Sequence, residues 1–524
     1  MSVREQLNSI AQKRFIILDG AIGSVIQSLH LCEKDFRGEK DFRGDKFADH
    51  PAPLNGCNDL LCLTKPEVIA SIHDDYLQAG ADIIETCSFN STSISLSDYG
   101  LGGLAYDISA AAAKIARKSA DNFSANGSPR FVAGSIGPTA KGASICTDIL
   151  NPGKRSICWD ELEAAFYDNA RGLLDGGADI FLVETAFDTV NAKAALFAIS
   201  RLLEERNIDV PIMISAAVSG ESGRLLSGQN LEAFCSSVLH VNPWSIGLNC
   251  SVNAQKLIPF VRKLSEIVPC LVSAYPNAGI PNSLGCYEET PDMFSANIEN
   301  YLKEGLVNII GGCCGSTPSH IAEIAKKAAF YKPRAISPVS RRTVFSGLEP
   351  VNVSDNAVPV KSTADDAGRK EFLRLLCEGD YEDAVEEARN MVDDGAAFIN
   401  IETDDEKTLS GFLDFALVNP YAAKVPFYIN SPGMNVIESG LKRLQGRCLA
   451  GPLTLKDTEA EFIRKAQLIR RYGAAAVVIL EGQDEVQKVC DLLRKNDYPL
   501  DNIVIDPGTL NLNGENCPGV IFAV

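Results

Sequence analysis

The ten residues Gly176-Gly-Ala-Asp-Ile-Phe-Leu-Val-Glu-Thr185 carry the pattern from which the fold is read. A helix stops at glycine, which accepts the left-handed backbone that ends a helix, and an apolar run follows that closes on an acid. The unit recurs at Ala79-Gly-Ala-Asp-Ile-Ile-Glu-Thr86, with echoes at Gly395-Ala-Ala-Phe-Ile-Asn-Ile-Glu-Thr403 and Gly473-Ala-Ala-Ala-Val-Val-Ile-Leu480. Further strand-like runs lie at Phe15–Leu18, Phe131–Ile136, Val210–Ser215, Ser245–Cys250, Cys270–Tyr275 and Val307–Gly312, which with the first two units makes eight. Eight strands alternating with helices over roughly 330 residues predict a (β/α)8 TIM barrel with loop insertions, since an open doubly wound sheet usually carries fewer strands.

Chemistry in such barrels sits at the C-terminal ends of the strands. Asp19, Glu85, Glu184, Cys250 and the pair Cys313-Cys314 all fall there. The pair lies in Asn308-Ile-Ile-Gly-Gly-Cys-Cys-Gly-Ser316, two adjacent thiols on a glycine-rich turn directly after a short apolar run. Adjacent cysteines rarely bond to each other, because a disulfide wants Cα atoms about 4.4–6.8 Å apart and correctly directed. Zinc is the better explanation, with Cys250 as third ligand and one tetrahedral position left open. Taken alone, Cys250 fits a buried, inert thiol at least as well. The strand-end acids also fit helix caps or solvated loop positions.

Composition bounds the function. The chain has 524 residues, 46% of them hydrophobic, enough for two or three cores. A formal net charge of −19, spread along the chain, argues against nucleic acid or an anionic membrane as partner. No run approaches the roughly 20 apolar residues of a membrane helix, and Met1–Arg14 has no apolar signal region, so a cytoplasmic protein is expected. Sixteen irregularly spaced cysteines suit reduced thiols better than a disulfide scaffold.

Beyond the barrel, Lys332–Pro359 contains proline and serine without periodicity and reads as a linker. A second α/β unit follows: a helix over Arg369–Asp394, then strands at Ala397–Ile401, Pro426–Ile429, Cys448–Leu453, Ala475–Leu480 and Ile503–Ile505. With about six strands it would be a degenerate or incomplete second barrel, unless further residues or a partner chain close it. The expected domains are therefore 1–331, a linker at 332–359, and 360–524. Glu33–Gly38 is duplicated as Glu39–Gly44, a charged loop to which no chemistry is assigned.

With Asp19-Gly20, Asn249-Cys250 and Gly311–Gly315 in view, the chain resembles the cobalamin-dependent methionine synthase family. The tracts Asp41-Phe-Arg-Gly44, Glu85-Thr-Cys-Ser-Phe-Asn90, Pro276-Asn-Ala-Gly279 and Ser346-Gly-Leu-Glu-Pro350 look like that family's own, and the resemblance covers nearly the whole chain. It implies a homocysteine-binding barrel followed by a pterin-binding barrel, and a zinc-dependent homocysteine S-methyltransferase that forms methionine. It also implies zinc on Cys250, Cys313 and Cys314, with Asp19 and Glu184 as substrate-binding carboxylates that orient the ammonium group.

The second unit departs from the family's pattern. Val358-Pro-Val-Lys-Ser-Thr363 stands where Gly-Glu-Arg-Thr-Asn is expected, Asn400-Ile401-Glu402 replaces Asp-Ile-Asn, and Asn430-Ser431-Pro432 replaces Asp-Ser-Ser. Gly451-Pro452 replaces Asn-Ser, and Asp506-Pro507 survives, which leaves Asp506 as the one pterin-binding candidate. The five histidines include no Asp-x-His-x-x-Gly motif, so methylcobalamin is expected only if another protein supplies it. The expected partners are homocysteine and a separate corrinoid protein. Rival readings keep the acceptor chemistry with a sulfonium or betaine-type donor, or make the chain a non-catalytic zinc- or thiol-binding assembly subunit.

Overall fold

Strand β1 (Ile16–Ile17) lies parallel to β8 (Ile309–Ile310), and the sheet runs on through β7 (Leu271–Asn277), β6 (Ser245–Asn253), β5 (Ile212–Ala216), β4 (Ile180–Ala186), β3 (Phe131–Ile136) and β2 (Ile83–Glu85). A parallel bridge between Leu18 and Ile83 joins the two ends. It is supported by Asp19 N donating to the Ile83 carbonyl at 3.1 Å and Asp82 N donating to that of Ile17 at 2.7 Å. The eight expected strands thus form a (β/α)8 barrel. This computed structural model describes residues 1–524 except 39–44, 125–127, 149, 284, 286, 337–342, 354–365, 481, 483–484, 507–520 and 523–524.

The strands are largely apolar because both faces are covered, as parallel sheets require; β3 and β5 are buried at every position. Alternate side chains point inward, among them Leu18, Ile83, Phe131, Leu182, Met213, Tyr275 and Ile309. The helix Val3–Ala11 closes the N-terminal end of this interior with Leu7 and Ala11, and Trp244 Nε1 fixes it by donating to Asn8 Oδ1 at 2.8 Å. That plug leaves the C-terminal mouth as the accessible end.

The second sheet is parallel and in sequential order: β11 (Ile399–Glu402), β12 (Phe427–Asn430), β13 (Leu449–Leu453), β14 (Ala475–Ile479), β15 (Ile503–Asp506) and β16 (Ile521–Phe522). Among the described residues this sheet has six strands, fewer than the eight of a barrel, which is consistent with the expected degenerate or incomplete unit. Two local expectations change. Helix Arg369–Asp394 is two helices, Asp366–Glu378 and Tyr381–Asp393, broken where Gly379 takes a φ of +76° and Asp380 caps the second by accepting from Asp383 N. The stretch expected as a linker, 332–359, contains an antiparallel hairpin of β9 (Thr343–Ser346) and β10 (Pro350–Val353). Phe345 of that hairpin packs with Phe398, Tyr428, Leu449, Val477 and Val504 on the inner face of the second sheet. The duplicate Glu39–Gly44, with its Asp41–Gly44 tract, and the stretch Val358–Thr363 lie outside the described residues.

The hairpin also binds the barrel. Ser346 Oγ lies 2.8 Å from Ser236 Oγ and accepts from Arg447 N at 3.0 Å, while Gln229 Nε2 donates to Gly347 O at 2.7 Å. Trp159, Phe197 and Tyr472 form an aromatic cluster across the same contact, with ring centroids 4.7–5.8 Å apart. Lys193 of the barrel donates to the carbonyls of Leu444 and Gly446 in the second unit at 2.9 and 3.3 Å. Among the described residues thirteen cysteines are free thiols. Among the described residues no helix is long and apolar enough to cross a membrane.

Candidate metal and substrate site

Three strand ends meet at the barrel mouth. At the end of β6 the chain leaves its extended path: Cys250 and Ser251 take φ of +55° and +63°, and the register with β7 shifts between Cys250 and Asn253. Non-glycine residues rarely enter this region, and such outliers gather at functional sites. After β8, Cys313 N donates to Pro276 O at 2.8 Å and Ala278 N to Cys314 O at 2.9 Å, which stitches the paired cysteines to the end of β7. Gly315 follows at a φ of +80°, and a Cβ there would sit 2.3 Å from the Tyr287 ring.

This geometry brings the three expected cysteines together. Cys250 Sγ and Cys314 Sγ are 3.8 Å apart, and all three sulfurs lie within 4.8 Å of one another. Two ligands bound at about 2.3 Å and a tetrahedral angle are about 3.8 Å apart, so the spacing suits one tetrahedral ion. Hydrogen bonds from Cys250 and then Cys313 push the Cys314 thiol well below its ordinary value, while contacts with Cys250 and then Cys314 push Cys313 up. A thiolate is the form that ligates metal.

The expected carboxylates stand at the same mouth. β1 ends against the cysteine loop: Gly312 N donates to Asp19 O at 3.2 Å, and Ala21 N donates to Ser316 Oγ at 3.2 Å. Gly20 allows this approach, since a Cβ there would lie 2.6 Å from Ser316 Oγ and 2.9 Å from the Tyr76 hydroxyl. Asp19 is fully buried; its Oδ2 accepts from Glu85 N at 3.0 Å, and Oδ1 has no hydrogen-bond partner among the described residues. Burial, then the charge of Glu184, pushes the Asp19 carboxyl well above its ordinary value. Glu184 is 4% exposed, accepts from Ser135 Oγ, and is pushed up to about 7, chiefly by burial. Glu85 is raised by burial and by both neighbouring acids, and its Oε1 is likewise unpartnered among the described residues.

Asp19, Glu85 and Glu184 are three desolvated acids at one mouth, and the unpartnered oxygens of Asp19 and Glu85 could accept from a cationic group. Beside them the thiols could hold a metal ion. Sequence reasoning missed the polar groups that support the site. Asn249 is fully buried and touches Thr185, Ser215 and Cys313, and Asn277 Oδ1 is a buried acceptor without a partner among the described residues. Only adjacency to Cys250 and to the Cys313–Cys314 loop's neighbour Pro276 could have pointed to them.

Asp506 is not part of this mouth. It ends β15 in the second sheet, opposite Ile479 of β14. Of the other strand ends there, Glu402 is tied to Arg369 at 3.0 Å and Asn400 Oδ1 is buried without a partner among the described residues. An open cleft of about 700 Å³ lies between the two units, lined by Arg155, Trp159, Glu438 and Lys442, and none of Cys250, Cys313, Cys314 or the mouth acids lines it.

The family model described as homocysteine S-methyltransferase matches residues 16–328. Among solved structures the chain is similar to the homocysteine methyltransferase MmuM from Escherichia coli. Its oxidized form shares 21% identity at a TM-score of 0.47, covering 62% of this chain and 99% of that one. Its metallated form shares 21% at 0.45, covering 60% and 97%.

Proposed function

Because the chain belongs to the homocysteine S-methyltransferase family, we propose that it methylates the sulfur of homocysteine to form methionine, with zinc on Cys250, Cys313 and Cys314, in the manner of the methionine synthases. The convergence of three thiols at one barrel mouth, with a 3.8 Å sulfur spacing between Cys250 and Cys314, carries this reading. Zinc held by three thiolates keeps a fourth position for the acceptor and would hold its sulfur as thiolate at neutral pH, where a free thiol of pKa about 8.5 is mostly protonated.

The chain's own residues then bind and orient. Asp19 and Glu184 receive the homocysteine ammonium on buried carboxyl groups, Asp19 through an Oδ1 that has no partner among the described residues, and Glu184 must be ionised to do so. Their role is placement, so that the sulfur faces the incoming methyl group in line; neither needs to move a proton.

In this reading residues 1–331 hold the acceptor and 360–524 support it or dock a methyl-carrying partner. The strand ends of the second sheet favour a donor that arrives on another protein, such as methylcobalamin on a corrinoid protein, because Glu402 is engaged by Arg369 and Gly451 offers no side chain. The deciding experiment incubates zinc-loaded protein with homocysteine and, separately, a methylated corrinoid protein, a sulfonium donor and a betaine donor. Methionine should form with one of them. Zinc-replete protein that yields no methionine from any donor would overturn the reading in favour of a non-catalytic thiol-binding subunit.

A further inference from the structure

Asn249 is a buried amide whose hydrogen-bonding capacity is fully used. Its Oδ1 accepts from Thr185 N at 3.1 Å and from Ser215 Oγ at 2.7 Å, while its Nδ2 donates to Thr185 Oγ1 at 2.8 Å and reaches Cys313 Sγ at 3.9 Å. The orientation of the amide is not a free choice. A backbone N–H can only donate, so the oxygen must face Thr185 N and the NH2 group must face the sulfur.

From this geometry we infer that Asn249 is a positioning residue for the metal-bound sulfur, donating an N–H···S hydrogen bond to Cys313 and holding it as the acceptor that a ligating thiolate must be. The inference rests on the reading that Cys250, Cys313 and Cys314 bind zinc. A donor aimed at a sulfur stabilises the anion over the thiol, and a charge-assisted contact is shorter than a neutral one, so the 3.9 Å contact should tighten when the ion is bound. The same amide reaches the acid side of the mouth. Thr185, which directly follows Glu184, holds a φ of +54°, and the bond from its N–H to Asn249 Oδ1 secures that left-handed turn. Asn249 also directly precedes Cys250, whose φ is +55°. One side chain therefore sets two of the three sulfurs relative to the carboxylate that receives the substrate ammonium.

Two readouts besides activity test this. In protein loaded with cadmium-113 and labelled with nitrogen-15 only at asparagine, the Asn249 side-chain amide should show scalar coupling to the metal through the sulfur. The Asn249→Asp variant keeps the acceptor toward Thr185 N and Ser215 but turns an oxygen toward Cys313. It should bind zinc about 10–100-fold more weakly in competition with a chromogenic chelator, as loss of an outer-shell partner does, and shift the sulfur-to-cobalt charge-transfer band of the cobalt-substituted protein. Wild-type affinity and an unchanged band in Asn249→Asp would overturn the inference. If that variant does not fold, the cadmium experiment on the wild type decides alone, and a loaded protein without coupling at Asn249 overturns it. A wild-type protein that takes up neither zinc nor cadmium overturns the metal site itself, a result distinct from both.

Discussion

Lys193 and Leu444 lie 251 residues apart in the sequence and 2.9 Å apart at the contact between ammonium and carbonyl that joins the barrel to the second unit. The lysine is fully buried and also donates to Gly446 O, and burial pushes its pKa down to about 8. A buried cation that answers only to carbonyls makes this contact sensitive to pH.

Lys193→Met should cost about 1–3 kcal/mol, because two buried carbonyls lose their donor. Between about pH 8 and the ordinary lysine value of 10.5, the unfolded chain binds the proton and the folded chain does not. Stability contributed by Lys193 therefore rises with pH across that window and is constant below it. Denaturant unfolding at pH 7.5 and 9.5 should show the gap between wild type and Lys193→Met widening at the higher pH; an equal gap would refute the assignment.

Cys313→Ala should lose most of a zinc content of about one ion per chain, since two thiolates and an open face hold the ion poorly. Metal analysis after dialysis measures it. Full occupancy in the variant would remove Cys313 from the ligand set.

Glu184→Gln should weaken homocysteine binding and leave zinc in place. In the wild type, affinity should rise as pH increases through about 7, where Glu184 ionises, and the variant should lack that component. The stability trend has the opposite sign. The folded state holds this proton more tightly than the unfolded state, whose value is near 4.5, so the unliganded wild type loses stability as pH rises from 4.5 toward 7. Paired titrations of wild type and Glu184→Gln, by calorimetry with homocysteine and by thermal unfolding without it, check both signs.

The second unit should bind methyltetrahydrofolate poorly or not at all. A pterin ring needs matched acids and amides at fixed strand ends, and here Asn400, Pro432 and Gly451 stand at three of those places. Each lost buried partner costs about 1–3 kcal/mol, so three losses remove most of the roughly 8 kcal/mol of a micromolar complex. Calorimetric binding at low micromolar concentration would show the opposite.

The barrel was legible in the sequence because each helix that ends at glycine hands over to an apolar run, and that local signal survives folding unchanged. The first and last strands of the barrel were less so: β1 and β8 are two residues long each, where the sequence shows runs of four to six. The thiol cluster could be read because vicinal cysteines at a strand end have few structural uses. The role of Asn249 could not, since its partners Thr185, Ser215 and Cys313 come from β4, β5 and the loop after β8 and nothing local marks them. The β9–β10 hairpin was missed for a simpler reason: four-residue strands around a Gly-Leu-Glu turn are too short to show alternation.

Pairing of Ile16 with Ile309 has a consequence for synthesis. The two strands are about 290 residues apart, and at about 5–20 residues per second the ribosome takes on the order of 15–60 s to supply the second after the first. Throughout that interval the edge of Ile16–Ile17 that β8 covers in the finished fold has no β8 to pair with. The nascent chain thus carries a strand-forming segment without its partner for that whole interval, and yield in the cell should depend on chaperone capacity well before the stability of the finished fold becomes limiting.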